Sequence, residues 1–168
     1  MTQRNRIVIA VILLAALIGG MLGVEALRRS AAQPDLPGEE ADYPPGSIPV
    51  RLNGDVLAYF TPDDLDSLDT VSFVDDEEGK TQEGWLLRDV LLLLLGPTRL
   101  TDACVITVAS SSREKSVDLT WVEVADEANK VLFDLSGRGT LKLVSLLERL
   151  DVRDEWIQDV DRIDVVCP

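Results

Sequence analysis

The stretch GWLLRDVLLLLLGP, residues 84–97, contains ten residues from Leu86 to Leu95 that are apolar except for Arg88 and Asp89. It predicts a helix that ends at Gly96-Pro97, because glycine suits the C-terminal end of a helix and proline cannot continue it. Such a helix is about 15 Å long, too short to cross a hydrocarbon layer of about 30 Å. We therefore expect a helix buried in the core of a small domain.

Short strands flank this helix on both sides. Asn53-Gly54 predicts a hairpin, because these residues accept the positive φ angles of a type I′ turn. Thr61-Pro62-Asp63-Asp64 predicts a helix start with threonine as N-cap, and Thr120–Ala125 predicts a helical turn. The expected strands are Ile48–Leu52, Asp55–Phe60, Thr70–Val74, Thr81–Trp85, Cys104–Ala109, Lys115–Leu119, Val131–Leu135, Leu141–Val144 and Ile163–Val166. Short strands mixed with two or three short helices predict an α+β domain with a small mixed sheet.

The N-terminal segment Ile7–Val24 consists of 18 consecutive uncharged residues between two pairs of arginines. Its length approaches that of a single transmembrane helix, so we predict that it anchors the chain in a membrane. Residues 31–47 are rich in proline and glycine, which predicts an extended spacer. The chain is thus expected to comprise an anchor at 1–30, a linker at 31–47 and a domain at 48–168.

Two alternatives remain for the apolar segment. It is either a cleaved signal peptide with Ser30-Ala31-Ala32 as its cleavage site, or a helix buried in the domain. A signal peptide would normally have an apolar stretch of only about 7–15 residues, which favours the anchor. The arginines favour a cytoplasmic N-terminus only slightly. We expect the domain on the extracytoplasmic side of the cell membrane, because a short cationic head before an apolar run also resembles a secretion signal.

Charge is distributed unevenly along the chain, whose net charge is −14. The first 30 residues hold four basic residues and one acidic residue, whereas the remainder holds 12 basic and 29 acidic residues. A domain this acidic would be repelled by phosphate backbones, which argues against nucleic-acid binding. The chain has no histidine, which excludes Ser-His-Asp and Cys-His nucleophiles and the usual histidine-containing metal sites. Carboxylate chemistry, a cysteine, or no catalysis remain.

Five short patterns follow the opening hairpin in a characteristic order: TPDDL at 61–65, GWLLRDVL at 84–91, VITVAS at 105–110, GTLKLV at 139–144 and WIQDVDRIDV at 156–165. Together they resemble the oxidoreductase molybdopterin-binding domain family, whose fold is that of the central domain of sulfite oxidase. The resemblance covers the chain from Ile48 to Val166. It implies that fold for the predicted domain.

The chain departs from this family at the residues that matter for redox chemistry. The resemblance implies a molybdenum centre held by a cysteine thiolate, with histidines and arginines around the pterin. Here Cys104 begins a predicted strand, Cys167 is the penultimate residue, and Ser111-Ser112-Arg113 replaces the family's Asp-Gly-Tyr-like turn. We therefore expect the fold without a cofactor, and molybdopterin is a disfavoured alternative.

Two further groups of residues are candidates for structural or binding roles. Cys104 and Cys167 either form a disulfide, which would close a loop of about 60 residues, or remain two free thiols. Arg99, Arg113 and Arg138 fall in predicted loops and are the residues we expect in a pocket for a pterin, nucleotide or organic anion. The alternative is that each arginine only pairs with a neighbouring carboxylate.

These features predict a membrane-tethered, extracytoplasmic, non-catalytic binding or accessory domain. One alternative is a molybdopterin-dependent family member that binds its cofactor, or another anion, through Arg113 and Arg138 without a cysteine ligand. Another is a small single-pass subunit of a larger membrane complex. The expected partners are the membrane, through residues 7–24, and a protein in or near it.

Overall fold

The computed structural model describes residue 44 and residues 46–168. Within these residues the chain forms nine strands, two α-helices and two 3₁₀ turns. The strands are β1 (Ile48–Leu52), β2 (Asp55–Phe60), β3 (Thr70–Val74), β4 (Thr81–Leu86), β5 (Val105–Ser110), β6 (Lys115–Thr120), β7 (Leu132–Leu135), β8 (Leu141–Val144) and β9 (Arg162–Val166). The helices are α1 (Leu87–Leu95) and α2 (Trp121–Ala125), and the 3₁₀ turns are Pro62–Leu65 and Glu127–Asn129.

The strands form two sheets. The first has the order β2-β1-β9-β5-β6 and the second the order β3-β4-β7-β8. All neighbours are antiparallel except β1 and β9, which run parallel, with Val50 opposite Ile163. The final strand of the chain therefore lies in the middle of the first sheet, between β1 and β5.

Local sequence explains two features of this fold, the β1–β2 turn and the start of the first 3₁₀ turn. The predicted Asn53-Gly54 turn between β1 and β2 is confirmed, and both residues have positive φ angles, 52° and 94°. At Thr61, the backbone N–H and the side-chain hydroxyl both donate to Asp64 Oδ2, at 2.7 and 2.8 Å. The carboxylate thus satisfies backbone and side-chain donors at the start of the first 3₁₀ turn.

Buried residues of both sheets and of α1 form one hydrophobic cluster. Phe60 of β2 and Phe133 of β7 bring the two sheets together, with ring centroids 6.4 Å apart. Helix α1 buries Leu87, Val90, Leu91 and Leu95 and contacts β2 and β4. It ends at Gly96, whose φ of 78° and N–H bond to the Leu92 carbonyl suit a glycine.

The predicted α+β class is wrong. In the described residues two sheets dominate, and the α-helices have only nine and five residues. The helix expected from Thr61 onwards is a four-residue 3₁₀ turn. Helix-start signals fix the first turn, but helices shorter than about 12 residues need tertiary packing to persist. The expectation of a sulfite-oxidase-like α+β domain is therefore wrong in its class.

The predicted anchor Ile7–Val24 and all of the predicted linker 31–47 except residues 44, 46 and 47 lie outside the described residues. Among the residues that are described, no helix combines the length and the apolar character that crossing a membrane requires.

Candidate functional site

Two of the three arginines predicted to bind an anion converge on a single carboxylate, that of Asp159. Arg113 lies in the β5–β6 turn, and its Nε and Nη2 are 2.8 and 2.7 Å from Asp159 Oδ2. Arg138 lies in the β7–β8 turn, and its Nη2 donates to Oδ1 at 2.9 Å. The hydroxyl of Thr140 also donates to Oδ1, at 2.8 Å. Asp159 therefore joins the hairpin tips of both sheets.

The backbone around Asp159 holds this carboxylate in place. Asp159 has a φ of 56°, a left-handed conformation that aspartate and asparagine tolerate better than most residues. The next two N–H groups bond to different sheets: Val160 to the Leu141 carbonyl and Asp161 to the Ala109 carbonyl. The loop between β8 and β9 is thus tied to both sheets at Asp159.

The hydrogen bonds from Thr140 and Arg113 lower the pKa of Asp159 below its ordinary value. Its side chain is 19% exposed, whereas those of Arg113 and Arg138 are 44% and 61% exposed, so solvent partly screens these contacts. Because the folded-state pKa is lowered, the stabilisation is fully present above the ordinary pKa of about 3.9. It is lost as the pH falls through the lowered folded-state pKa.

We expect Asp159→Asn to lower the free energy of unfolding at pH 7 by about 1–2 kcal/mol, because two guanidinium groups lose a charged acceptor. Asparagine tolerates the left-handed backbone, so the change removes charge with little added strain. Urea unfolding from pH 7 to pH 3 should show the difference shrinking below about pH 4. Equal stability at pH 7, or a difference that does not change with pH, would contradict the role assigned to Asp159.

A cleft of about 240 Å³ opens beside Arg113. Three of its lining residues are basic, one is acidic, and one is a tryptophan; the lining set is Arg113, Lys115, Arg153, Asp154, Trp156 and Gln158. The ammonium group of Lys115 donates to the backbone carbonyl of Asp154, and within residues 46–168 it has no carboxylate partner. We call this feature the basic cleft.

Arg153 connects the basic cleft to the acidic tip of the β3–β4 hairpin. Its Nη1 donates to both carboxylate oxygens of Glu78, at 3.1 and 3.3 Å, and its backbone N–H donates to Glu77 Oε2 at 3.0 Å. Lys80 Nζ donates to the same Glu78 carboxylate at 2.6 Å. The bonds from Lys80 and then Arg153 lower the pKa of Glu78. Glu78 therefore stays ionised at neutral pH.

Trp156 is 5% exposed and packs into the hydrophobic core beside the basic cleft. Lys142 Nζ lies 5.2 Å from its ring centroid, a cation–π contact. Among the described residues, the indole Nε1–H has no hydrogen-bond partner. A buried N–H without an acceptor costs about 1–3 kcal/mol.

Arg99 is not part of this cluster. Its Nη1 donates to the Leu95 carbonyl at the end of α1, and its own carbonyl lies 3.8 Å from Cys104 Sγ. Of the two alternatives for the cysteines, the structure has the disulfide, which joins Cys104 to Cys167. The predicted trio of arginines is thus split between the disulfide region and Asp159.

Sequence reasoning missed Lys115, Trp156 and Asp159 as members of one site. Asp159 is one of 29 acidic residues beyond position 30, so nothing in its spacing marked it as the shared partner of two arginines. Asp159 directly precedes two residues that bond to different sheets, and only the tertiary structure determines this position.

In the described part of the chain, no group of three or more cysteine, aspartate or glutamate side chains is arranged to hold a metal ion. The chain matches no protein-family model and no curated protein.

Proposed function

We propose that this protein is a membrane-tethered, extracytoplasmic, non-catalytic binding module that holds a small anionic ligand in the basic cleft. The observation that carries the proposal is the inversion of charge there. Beyond residue 30 the chain has more than two acidic residues for each basic one, yet the cleft has three basic residues and one acidic residue.

Several cations around the cleft share a carboxylate. Asp159 is shared by Arg113 and Arg138, and Glu78 is shared by Arg153 and Lys80. One carboxylate cannot neutralise two cations, so each guanidinium retains attraction for a further anion. The side chains of Arg113 and Arg153 are 44% and 53% exposed, which leaves them accessible.

The surrounding charge favours a small ligand over an extended one. A polyanion or a large acidic surface would extend beyond the cleft and meet the many carboxylates of the domain. A compact anion stays within about one Debye length of the cleft cations, roughly 8 Å at physiological salt. The cleft, of about 240 Å³, is open to solvent and has room for a compact group only.

A non-catalytic role is supported by the chemistry of the available groups. The chain has no histidine, and the carboxylates of Asp159 and Glu78 have a lowered pKa, which makes them poor proton donors near neutral pH. The molybdenum centre that the family resemblance implies is held by a free cysteine thiolate, and Cys104 and Cys167 are bonded to each other. These two cysteines do not fit such a centre.

The tether is the predicted anchor Ile7–Val24. Its 18 uncharged residues suit a single membrane span, and the proline-rich segment that follows suits a spacer. A binding domain held in this way would encounter its ligand close to the extracytoplasmic surface of the cell membrane.

We expect Arg153→Gln to weaken the binding of glutarate about five- to tenfold, because a charge-assisted hydrogen bond to the anion is lost. Binding is measured by titration calorimetry on the full chain in detergent. Arg149→Gln is the matched control: Arg149 is 46% exposed and paired with Glu123, and it does not line the basic cleft.

The salt dependence of binding provides a second criterion. Glutarate should bind more weakly as ionic strength rises, because the contacts are electrostatic and partly exposed. If Arg153→Gln and Arg149→Gln weaken binding equally, the anion binds outside the basic cleft. The absence of binding by glutarate, inorganic phosphate and L-glutamate alike would overturn the proposed function.

A further inference from the structure

We infer that the ligand of the basic cleft is a small zwitterion, a carboxylate with a neighbouring ammonium group, as in a free α-amino acid. This inference rests on the proposed function and adds the chemical class of the ligand. It follows from the hydrogen-bonding groups of the cleft that make no contact within the described part of the chain.

Asp154 is the first of these groups. Its backbone carbonyl accepts the ammonium of Lys115, but its exposed carboxylate makes no hydrogen bond or ion pair within residues 46–168. Asp154 lines the same cleft as the three cations, so its carboxylate would repel a purely anionic ligand there. A ligand that presents an ammonium group to Asp154 turns this repulsion into attraction.

Gln158 supplies the second group. It lines the cleft, and its amide makes no hydrogen bond within residues 46–168. The amide both donates and accepts, so it suits a ligand with both kinds of group.

The arrangement assigns a role to each side of the cleft. Arg113, Lys115 and Arg153 attract the carboxylate, and Asp154 selects for the ammonium. Asp154 is therefore the residue that determines specificity between an amino acid and a simple organic acid. Asp154 is expected to repel a simple organic acid as well as to attract an amino acid. Removing its charge should therefore tighten the binding of the organic acid.

The test compares L-glutamate with glutarate, which differ only in the α-ammonium group. Titration calorimetry on the full chain in detergent should give tighter binding of L-glutamate, by about fivefold, which corresponds to about 1 kcal/mol. In Asp154→Asn this preference should disappear, through weaker binding of L-glutamate and tighter binding of glutarate. Asp151→Asn makes the same charge change three residues away, outside the cleft, and should keep the preference.

Each outcome separates the inference from the proposed function. Equal binding of the two ligands, or a preference for glutarate, with the Arg153→Gln effect intact would overturn the zwitterion and leave an anion site. The same loss of preference in Asp151→Asn would overturn the role of Asp154, because net charge alone would then explain it. Binding of neither ligand, nor of phosphate, would overturn both.

Discussion

Reduction of the Cys104–Cys167 disulfide is expected to lower the free energy of unfolding by about 4 kcal/mol, the largest single effect we foresee. The bond joins residues separated by 63 positions, so cleaving it restores considerable conformational entropy to the unfolded chain. The unfolding midpoint should fall by on the order of 10–20 °C. The measurement is thermal unfolding of the full chain in detergent, with and without reductant.

The position of the disulfide adds a structural reason. Cys167 directly follows β9, the central strand of the first sheet, and Cys104 directly precedes β5, its neighbour. The backbone N–H of Cys167 also donates to the Asn53 side chain at 2.9 Å, next to the β1–β2 turn. The bond thus joins the C-terminal end of β9 to the N-terminal end of β5, its neighbour in the sheet.

A double variant, Cys104→Ser with Cys167→Ser, serves as the control for reduction. It should unfold at about the midpoint of the reduced protein, and reductant should not change it further. If mass measurement shows both thiols reduced while the midpoint stays the same, the disulfide does not contribute the stability assigned to it.

Replacement of Gly84 by alanine is expected to lower the free energy of unfolding by about 3 kcal/mol or to prevent folding. A Cβ atom at Gly84 would lie 1.8 Å from the carbonyl oxygen of Phe133 and 2.6 Å from its carbonyl carbon. Gly84 pairs with Asp134 where β4 meets β7, so the clash is with the backbone of the neighbouring strand. Backbone cannot rotate away as a side chain does, and the strand pair must separate.

Gly137→Ala provides the matched comparison. It adds the same methyl group in the β7–β8 turn, where, its two chain neighbours aside, no atom of the described residues lies within 4 Å of the new Cβ, and its φ is not positive. We expect a change within about 0.5 kcal/mol. Urea unfolding of both variants checks the pair. Similar stability of the two variants would mean that β4 and β7 are not packed as closely as described.

Disulfide reduction and Gly84→Ala both disturb the pairing of strands that are distant in sequence. Each sheet depends on strands that are distant in sequence: β9 with β1 in the first, and β4 with β7 in the second. The loop from β8 to β9 carries Asp154, Trp156 and Asp159, so the placement of β9 also positions the basic cleft. Loss of the disulfide should therefore weaken ligand binding as well as stability.

Local sequence was sufficient where one interaction with near neighbours determines the structure. Asn53-Gly54 predicted its turn because only residues that tolerate positive φ fit there. The apolar stretch before Gly96-Pro97 predicted α1, because its length and its end signal leave few other conformations. The charge difference between the two parts of the chain is likewise a property of the sequence alone.

Tertiary structure alone determined the fold class and the site. Whether short strands form one mixed sheet or two sheets depends on pairings such as Val50 with Ile163, which no local pattern encodes. The meeting of Arg113 and Arg138 at Asp159, and the separation of Arg99 from them, depend on which hairpin tips become neighbours. Charged residues are abundant and their attraction is not tied to a fixed spacing in sequence, so the folded backbone selects the partners.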